Sequence, residues 1–283
     1  MRVKKDILAI ITMCCLAVTS ICGILSMNFN YAHDFMNQYG QQVKIYGYGI
    51  YANDSYFKAP ISIGTDFCIL FILLPLFLYT YLQYRRNQNH SNELKLVSVY
   101  GVAFYYAASI SFGVTYNQLF LVYVILFSCS LIGMFAHIRK LAIHSKIAVT
   151  RGLSIFLVLA GIALLVAWLP DIISAMIAGG TLSLIGVYTT EITYVLDMGI
   201  ISPLCFICLY LLKKGDGLGV IILAILLKLC MIVGIMMISQ TICQIMSGIE
   251  MEMPVLVTKS LPFVLLGGIA KYFNRKMYIV IEK

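Results

Sequence analysis

Apolar runs long enough to cross a bilayer recur from one end of the chain to the other, and nothing else in the sequence limits its fold so strongly. A membrane-spanning helix needs about 20 such residues. Eight candidate spans come close to that length, at about 6–27, 62–82, 96–114, 118–138, 152–170, 195–212, 218–241 and 256–273. Within hydrocarbon, backbone N–H and C=O groups must bond inside the protein, which admits helices or a closed barrel. The runs are continuous rather than alternating and therefore predict helices. The expected fold is an all-α, polytopic transmembrane helical bundle that forms one integral membrane domain over residues 1–283. Composition agrees: 61% of residues are hydrophobic and 11% charged, against about 25% charged in a soluble domain.

The net charge of +8 is not pooled on one domain, so it does not point to nucleic acid. Sixteen of the twenty Lys and Arg residues fall at the termini or in alternate short connections. These include Arg2, Arg85, Arg86, Arg139, Lys140, Lys213, Lys214 and Arg275. The positive-inside bias then places both termini in the cytoplasm and residues 28–61 outside. The N-terminus has the basic start and apolar core of a signal peptide, but no clear A-x-A site follows, so an uncleaved first helix is expected.

The segment 171–194 is apolar but contains Gly179 and Gly180. Making it a crossing would carry Lys213 and Lys214 to the outside. A re-entrant hairpin or a helix along the outer surface is therefore expected there. Residues 6–138 and 152–276 follow the same order of helices and links, which suggests a 4+4 parallel pseudo-repeat. In the outer loop, "VKIYGYGIYANDSYFKAP" alternates Tyr46, Gly47, Tyr48 and Gly49 before a turn at Asn53-Asp54. That pattern suggests a short hairpin or compact lid, serving either as an aromatic cap or as a binding surface.

Charges within apolar spans mark candidate functional residues, because an ionised group facing lipid is costly. Asp66, Asp197 and Lys259 fall near the outer ends of their spans, with Glu191 and Tyr194 at the mouth of the sixth. They fit either headgroup contact or convergence on one outward-opening polar cavity. Pro203 deprives the Gly199 carbonyl of its usual partner, so a discontinuity beside Asp197 is expected. Lys228 lies near mid-bilayer and shares a helical face with Ser239, next to Gln240, which makes this span the candidate cavity-lining helix.

Several chemistries lack their residue patterns. Cys205 and Cys208 have C-x-x-C spacing, but within a span and with no shuttle pair outside. His137 and His144 have no third ligand in register. No H-E-x-x-H, Walker or G-x-S-x-G sequence occurs, and neither a metal nor a cofactor is expected. The stretch "YTTEITYVLDMGIISP", residues 188–203, resembles segments of an uncharacterised group of multispan bacterial membrane proteins. That resemblance implies a bacterial cytoplasmic membrane and no particular activity. Membrane lipids and a small polar or cationic solute are the expected partners. Binding or transport of that solute is the leading function. A membrane enzyme acting on a lipid-linked substrate and a non-catalytic receptor, accessory or immunity-type subunit are the alternatives.

Overall fold

The structure is a computed structural model that describes residues 2–141, 147–249 and 253–282. Eight helices make up the bundle: α1 (Arg2–Leu25), α2 (Lys58–Arg86), α3 (His90–Gly113), α4 (Phe120–Leu141), α5 (Arg151–Ala178), α6 (Ile192–Lys214), α7 (Gly217–Met246) and α8 (Met253–Ile281). Among the described residues, α1 to α7 are long and apolar enough to cross a membrane. Large apolar side chains stand exposed around the bundle, Phe71, Leu121, Phe135 and Val166 among them. Such a belt suits hydrocarbon rather than water. The chain is a multi-pass membrane protein.

Local chemistry sets the helix ends. Asn89, Thr150 and Asp216 cap α3, α5 and α7, their side chains accepting from the backbone N–H of Asn92, Leu153 and Leu218. These bonds satisfy donors that have no partner within the helix. Gly179 ends α5 in the left-handed region at φ 63°, its N–H bonded to the Ala175 and Met176 carbonyls.

That cap corrects the expectation for 171–194. Residues 171–178 simply prolong α5 through Pro170, and 179–191 is an irregular connection rather than a re-entrant hairpin or a surface helix. The two glycines stop a helix instead of interrupting one.

The expected discontinuity at Pro203 also takes another form. α6 stays helical but widens into a π turn at Asp197–Ile201, immediately before Ser202-Pro203. α2 does the same at Ile69–Leu73, before Leu74-Pro75. A proline ring clashes with the carbonyl four residues back, and a turn widened by one residue gives it room. The same interval separates the two π turns, the two prolines and the basic pairs that end these helices, Arg85-Arg86 and Lys213-Lys214.

α1, α2, α3 and α4 pack together, as do α5, α6, α7 and α8. The groups meet where α7 lies against α3 and the first half of α2, and where the first turn of α6 touches α3. At one end of the bundle, Asp6 pairs with Arg85 at 3.1 Å and Glu282 with Lys95 at 2.7 Å. Both ends of the chain therefore lie on that side.

The other end carries a folded cap. Its hairpin pairs β1 (His33–Met36) with β2 (Gln42–Ile45), earlier in the chain than the Tyr-Gly alternation suggested. Residues 46–51 instead turn into a short 3₁₀ segment, Gly49–Tyr51, with Tyr46 and Tyr51 buried beneath it. Asn37 Nδ2 donates to the Gly186 carbonyl at 2.7 Å and Gln38 Nε2 to that of Tyr188 at 3.1 Å, fastening the 179–191 connection to the hairpin.

Asp54 holds the centre of the cap. Its Oδ1 accepts from the Thr115 backbone N–H at 2.9 Å and the Tyr188 hydroxyl at 2.7 Å, while its buried Oδ2 has no partner among the described residues. Burial pushes the carboxyl up from 3.8 to about 6, against the lowering effect of those bonds. A group whose pKa is raised on folding adds stability that is complete below its unfolded pKa and is lost as pH rises through its folded one. After correction for the intrinsic pH dependence of exchange, amides of the cap are therefore expected to be more strongly protected at pH ~4 than at pH ~7, by up to ~3 kcal/mol in opening free energy. The difference should vanish in Asp54→Asn. Persistence of the full dependence in that variant would remove Asp54 from this role.

Candidate functional site

The start of α6 brings three of the expected residues to one region. Glu191 precedes the first turn, and its carboxylate pairs with the Lys58 ammonium at the start of α2. Lys58 also lies 4.0 Å above the centre of the Tyr188 ring. Tyr194 donates to Asp171 Oδ2 at 2.8 Å and stacks on Trp168, with ring centres 4.7 Å apart. One turn further on, Asp197 opens the π turn. Its Oδ1 accepts from the Tyr105 hydroxyl at 2.7 Å and its Oδ2 from Trp168 Nε1 at 2.9 Å. Asp197 is 5% exposed. Both its described donors are neutral.

Two spaces flank this π turn. A cleft of about 560 Å³ opens between the end of α5, the 179–191 connection and α6, lined by Met176, Thr190, Glu191, Tyr194, Met198 and Gly199 among others. That volume falls within the range of small-molecule sites. On the inner side lies a cavity of about 50 Å³ lined by Tyr105, Asp197, Cys205, Cys230, Val233 and Phe263 among others. It has room for one or two water-sized groups. The widened turn thus forms a wall between a mouth and an inner chamber, with Asp197 facing the chamber.

Of the expected composite of Asp66, Glu191, Asp197 and Lys259, the three acids, whose side chains are described, do not line one pocket. Glu191 and Tyr194 share the outer cleft, and Asp197 lines the inner cavity. Asp66 lines neither. It is fully buried elsewhere, accepting from Tyr51 at 2.6 Å and Tyr106 at 2.7 Å. Placement near the end of a span did not foretell this, because Tyr51 of the cap and Tyr106 of α3 close over the carboxyl group. Lys259 falls on α8, but its side chain lies outside the described residues, as does all of His144.

α7 contributes to the inner cavity through Leu229, Cys230 and Val233 rather than through Lys228, Ser239 or Gln240. The Lys228–Ser239 face is rotated away from the cavity, and Ile235 on it is 42% exposed. Lys228 itself is only 7% exposed, and among the described residues no hydrogen bond or ion pair reaches its ammonium. Ser239 donates to the Met236 carbonyl, and Gln240 Nε2 donates to Thr65 Oγ1 at 2.8 Å, tying α7 to α2.

Sequence patterns did not single out Tyr105, Tyr106 or Trp168, and marked Asp54 only as part of a turn. Trp168 is the chain's sole tryptophan, and its position in an apolar span three residues before Asp171 was the available signal. All nine cysteines are free, with Cys205 and Cys208 buried in the helix packing. Among the described residues no group of three His, Cys, Asp or Glu side chains is placed to hold a metal ion. Comparisons with protein-family models, curated proteins and solved structures find no match to the chain.

Proposed function

We propose that the protein binds, and moves across the membrane, a small cationic solute with apolar surface, which enters through the cleft between α5 and α6. The observation that carries this reading is Asp197. A nearly buried carboxyl group, held by two neutral donors, stands at a π turn between an open cleft and an inner cavity. Beside the cleft, Glu191 pairs with Lys58 and Tyr194 donates to Asp171, and the Trp168–Tyr194 stack offers aromatic faces to a cation. π turns inside α-helices occur frequently at functional sites.

Trp168 is a built-in reporter. Tetrapropylammonium is expected to change its emission saturably, whereas propanesulfonate should not. An equal response to both would count against a cation site.

The exposed flank beside the cleft, with Met176 75% and Ile177 83% exposed, favours entry from the outer leaflet. It is also the observation that keeps a membrane enzyme acting on a lipid-linked substrate as a second reading. Turnover with an unchanged transmembrane solute gradient would favour that enzyme.

We place the capped end outside a bacterial cytoplasmic membrane and both termini inside, with α8 as an eighth crossing and α1 retained. The concentration of basic residues at the opposite end supports this orientation. Ser55 is buried, so exposed Asp34 is the better position for labelling. An impermeant maleimide applied to intact cells should label Asp34→Cys in a cysteine-free background and spare Asn89→Cys. The opposite pattern would invert the topology. The matched π turns, prolines and basic pairs of α2 and α6 support reading 6–138 and 152–276 as a repeat.

A further inference from the structure

We infer that Asp66 is a proton-binding site whose occupancy is linked to that of the Asp197 site through consecutive residues of α3. Tyr105 bonds Asp197 and Tyr106 bonds Asp66, each at 2.7 Å, so one turn of one helix holds both carboxyl groups. This inference deepens the cation-binding reading by naming what the cation exchanges with, and it rests on that reading only for the cation.

The hydrogen bonds around Asp66 run in either direction without moving a heavy atom. Tyr106 Oη lies 2.7 Å from Asp66 Oδ1 and 3.3 Å from Thr19 Oγ1, and Thr19 Oγ1 lies 2.9 Å from the Cys15 carbonyl. With Asp66 ionised, Tyr51 and Tyr106 both donate to it. With a proton on Oδ1, Asp66 donates to Tyr106, Tyr106 turns its hydrogen to Thr19, and Thr19 donates to Cys15. Every donor keeps an acceptor in both states, so neither leaves a buried polar group unpaired.

Among the described residues the surroundings supply no fixed counter-charge. The titratable neighbours are Tyr51 from the cap, Tyr106 from α3, Tyr123 from α4 and Cys243 from α7. α1 brings Thr19 and Gly23. Lys58, on the same helix as Asp66, is paired with Glu191. Negative charge on Asp66 and on Asp197 repels across α3, and a low-dielectric interior screens that repulsion poorly. A cation beside Asp197 therefore favours loss of the proton from Asp66, and by reciprocity a proton on Asp66 changes the affinity of the Asp197 site. The chemistry is exchange of a proton for a cation.

The test needs no solute. Trp168 donates to Asp197, so its emission in the full chain, reconstituted in nanodiscs, should follow the protonation of that carboxyl. The transition is expected in wild type and absent in Asp197→Asn. Asp66→Asn removes the repelling charge and should lower the pH midpoint by roughly half a unit or more. Thr19→Val deprives Tyr106 of its second acceptor, disfavours the protonated state of Asp66 and should raise the midpoint. Opposite shifts distinguish linkage from general loosening of the fold. Should Asp66→Asn fail to fold, Tyr106→Phe, which removes a donor to ionised Asp66, should shift the midpoint in the same downward direction. An unmoved midpoint, shifts of one sign in all variants, or emission flat from about pH 4 to pH 10 in wild type and variants alike would overturn the linkage. Failure of tetrapropylammonium to bind would leave this result standing, so the two ideas fail separately.

Discussion

Replacement of Gly23 by alanine is expected to abolish most of the folded protein. A Cβ at this position would sit 1.7 Å from Asp66 Oδ2, 2.5 Å from its Cγ and 3.2 Å from the Tyr51 hydroxyl. The carboxylate has nowhere to retreat, because Tyr51 and Tyr106 hold it on two sides and it is fully buried. Overpacking of a tight interior costs about 1–3 kcal/mol. Displacing Asp66 from Tyr51 strands a buried donor at about another 1–3 kcal/mol. Together these come to about 2–6 kcal/mol, which reaches the lower end of the stability of a marginal protein, roughly 5–15 kcal/mol. The monodisperse fraction after size exclusion in detergent should fall sharply, and the thermal midpoint of any remainder should drop. Combining Gly23→Ala with Asp66→Ala should recover part of the loss, since the pair in contact is expected to be strongly non-additive. A neutral Gly23→Ala would mean that α1 does not approach α2 as described.

Gly23 illustrates how unevenly the sequence reveals the fold. Long apolar runs locate the helices, because the bilayer fixes both their length and their hydrogen bonding. Caps such as Asn89, Thr150 and Asp216 are likewise local and readable. The extension of α5 through residues 171–178 was hidden because 171–194 reads as a separate segment, with Gly179 and Gly180 against a crossing, whereas Gly179 caps the end of the preceding helix. The hairpin was displaced because β1, "HDFM", carries no turn-flanked alternation of its own. Its stability comes from contacts with residues about 150 positions away, such as those of Gln38 with Tyr188.

The site was legible only as a list of charges. Asp66, Glu191, Tyr194 and Asp197 were visible because carboxyl groups and their neighbours stand out in apolar spans. Their distribution into an outer cleft, an inner cavity and a separate buried cluster was not. It depends on which face each helix turns inward. Tyr105 and Tyr106 show the limit most clearly. They are two ordinary aromatic residues in sequence, and they acquire roles only because α3 stands between two carboxyl groups that are far apart along the chain.

The second large effect is expected at Asp197. Asparagine keeps an oxygen for Trp168 or Tyr105 to bond, so the helix packing should survive, but the charge is removed. A cation that relies on this carboxyl should lose about tenfold or more in affinity, near 1.4 kcal/mol. Glu191→Gln should have a smaller effect on the cation, since Lys58 already neutralises that group, and would chiefly loosen the 179–191 connection.

Calorimetric titration of methylammonium, a cation of a size that the inner cavity admits, into wild type and Asp197→Asn, both in nanodiscs at the same pH and salt, tests the cation site most directly. The expected result is saturable binding to wild type that is weakened about tenfold or more in the variant, with methanesulfonate inert toward both. Equal affinity of methylammonium for the two proteins, or heat from methanesulfonate matching that from the cation, would contradict a cation site at Asp197.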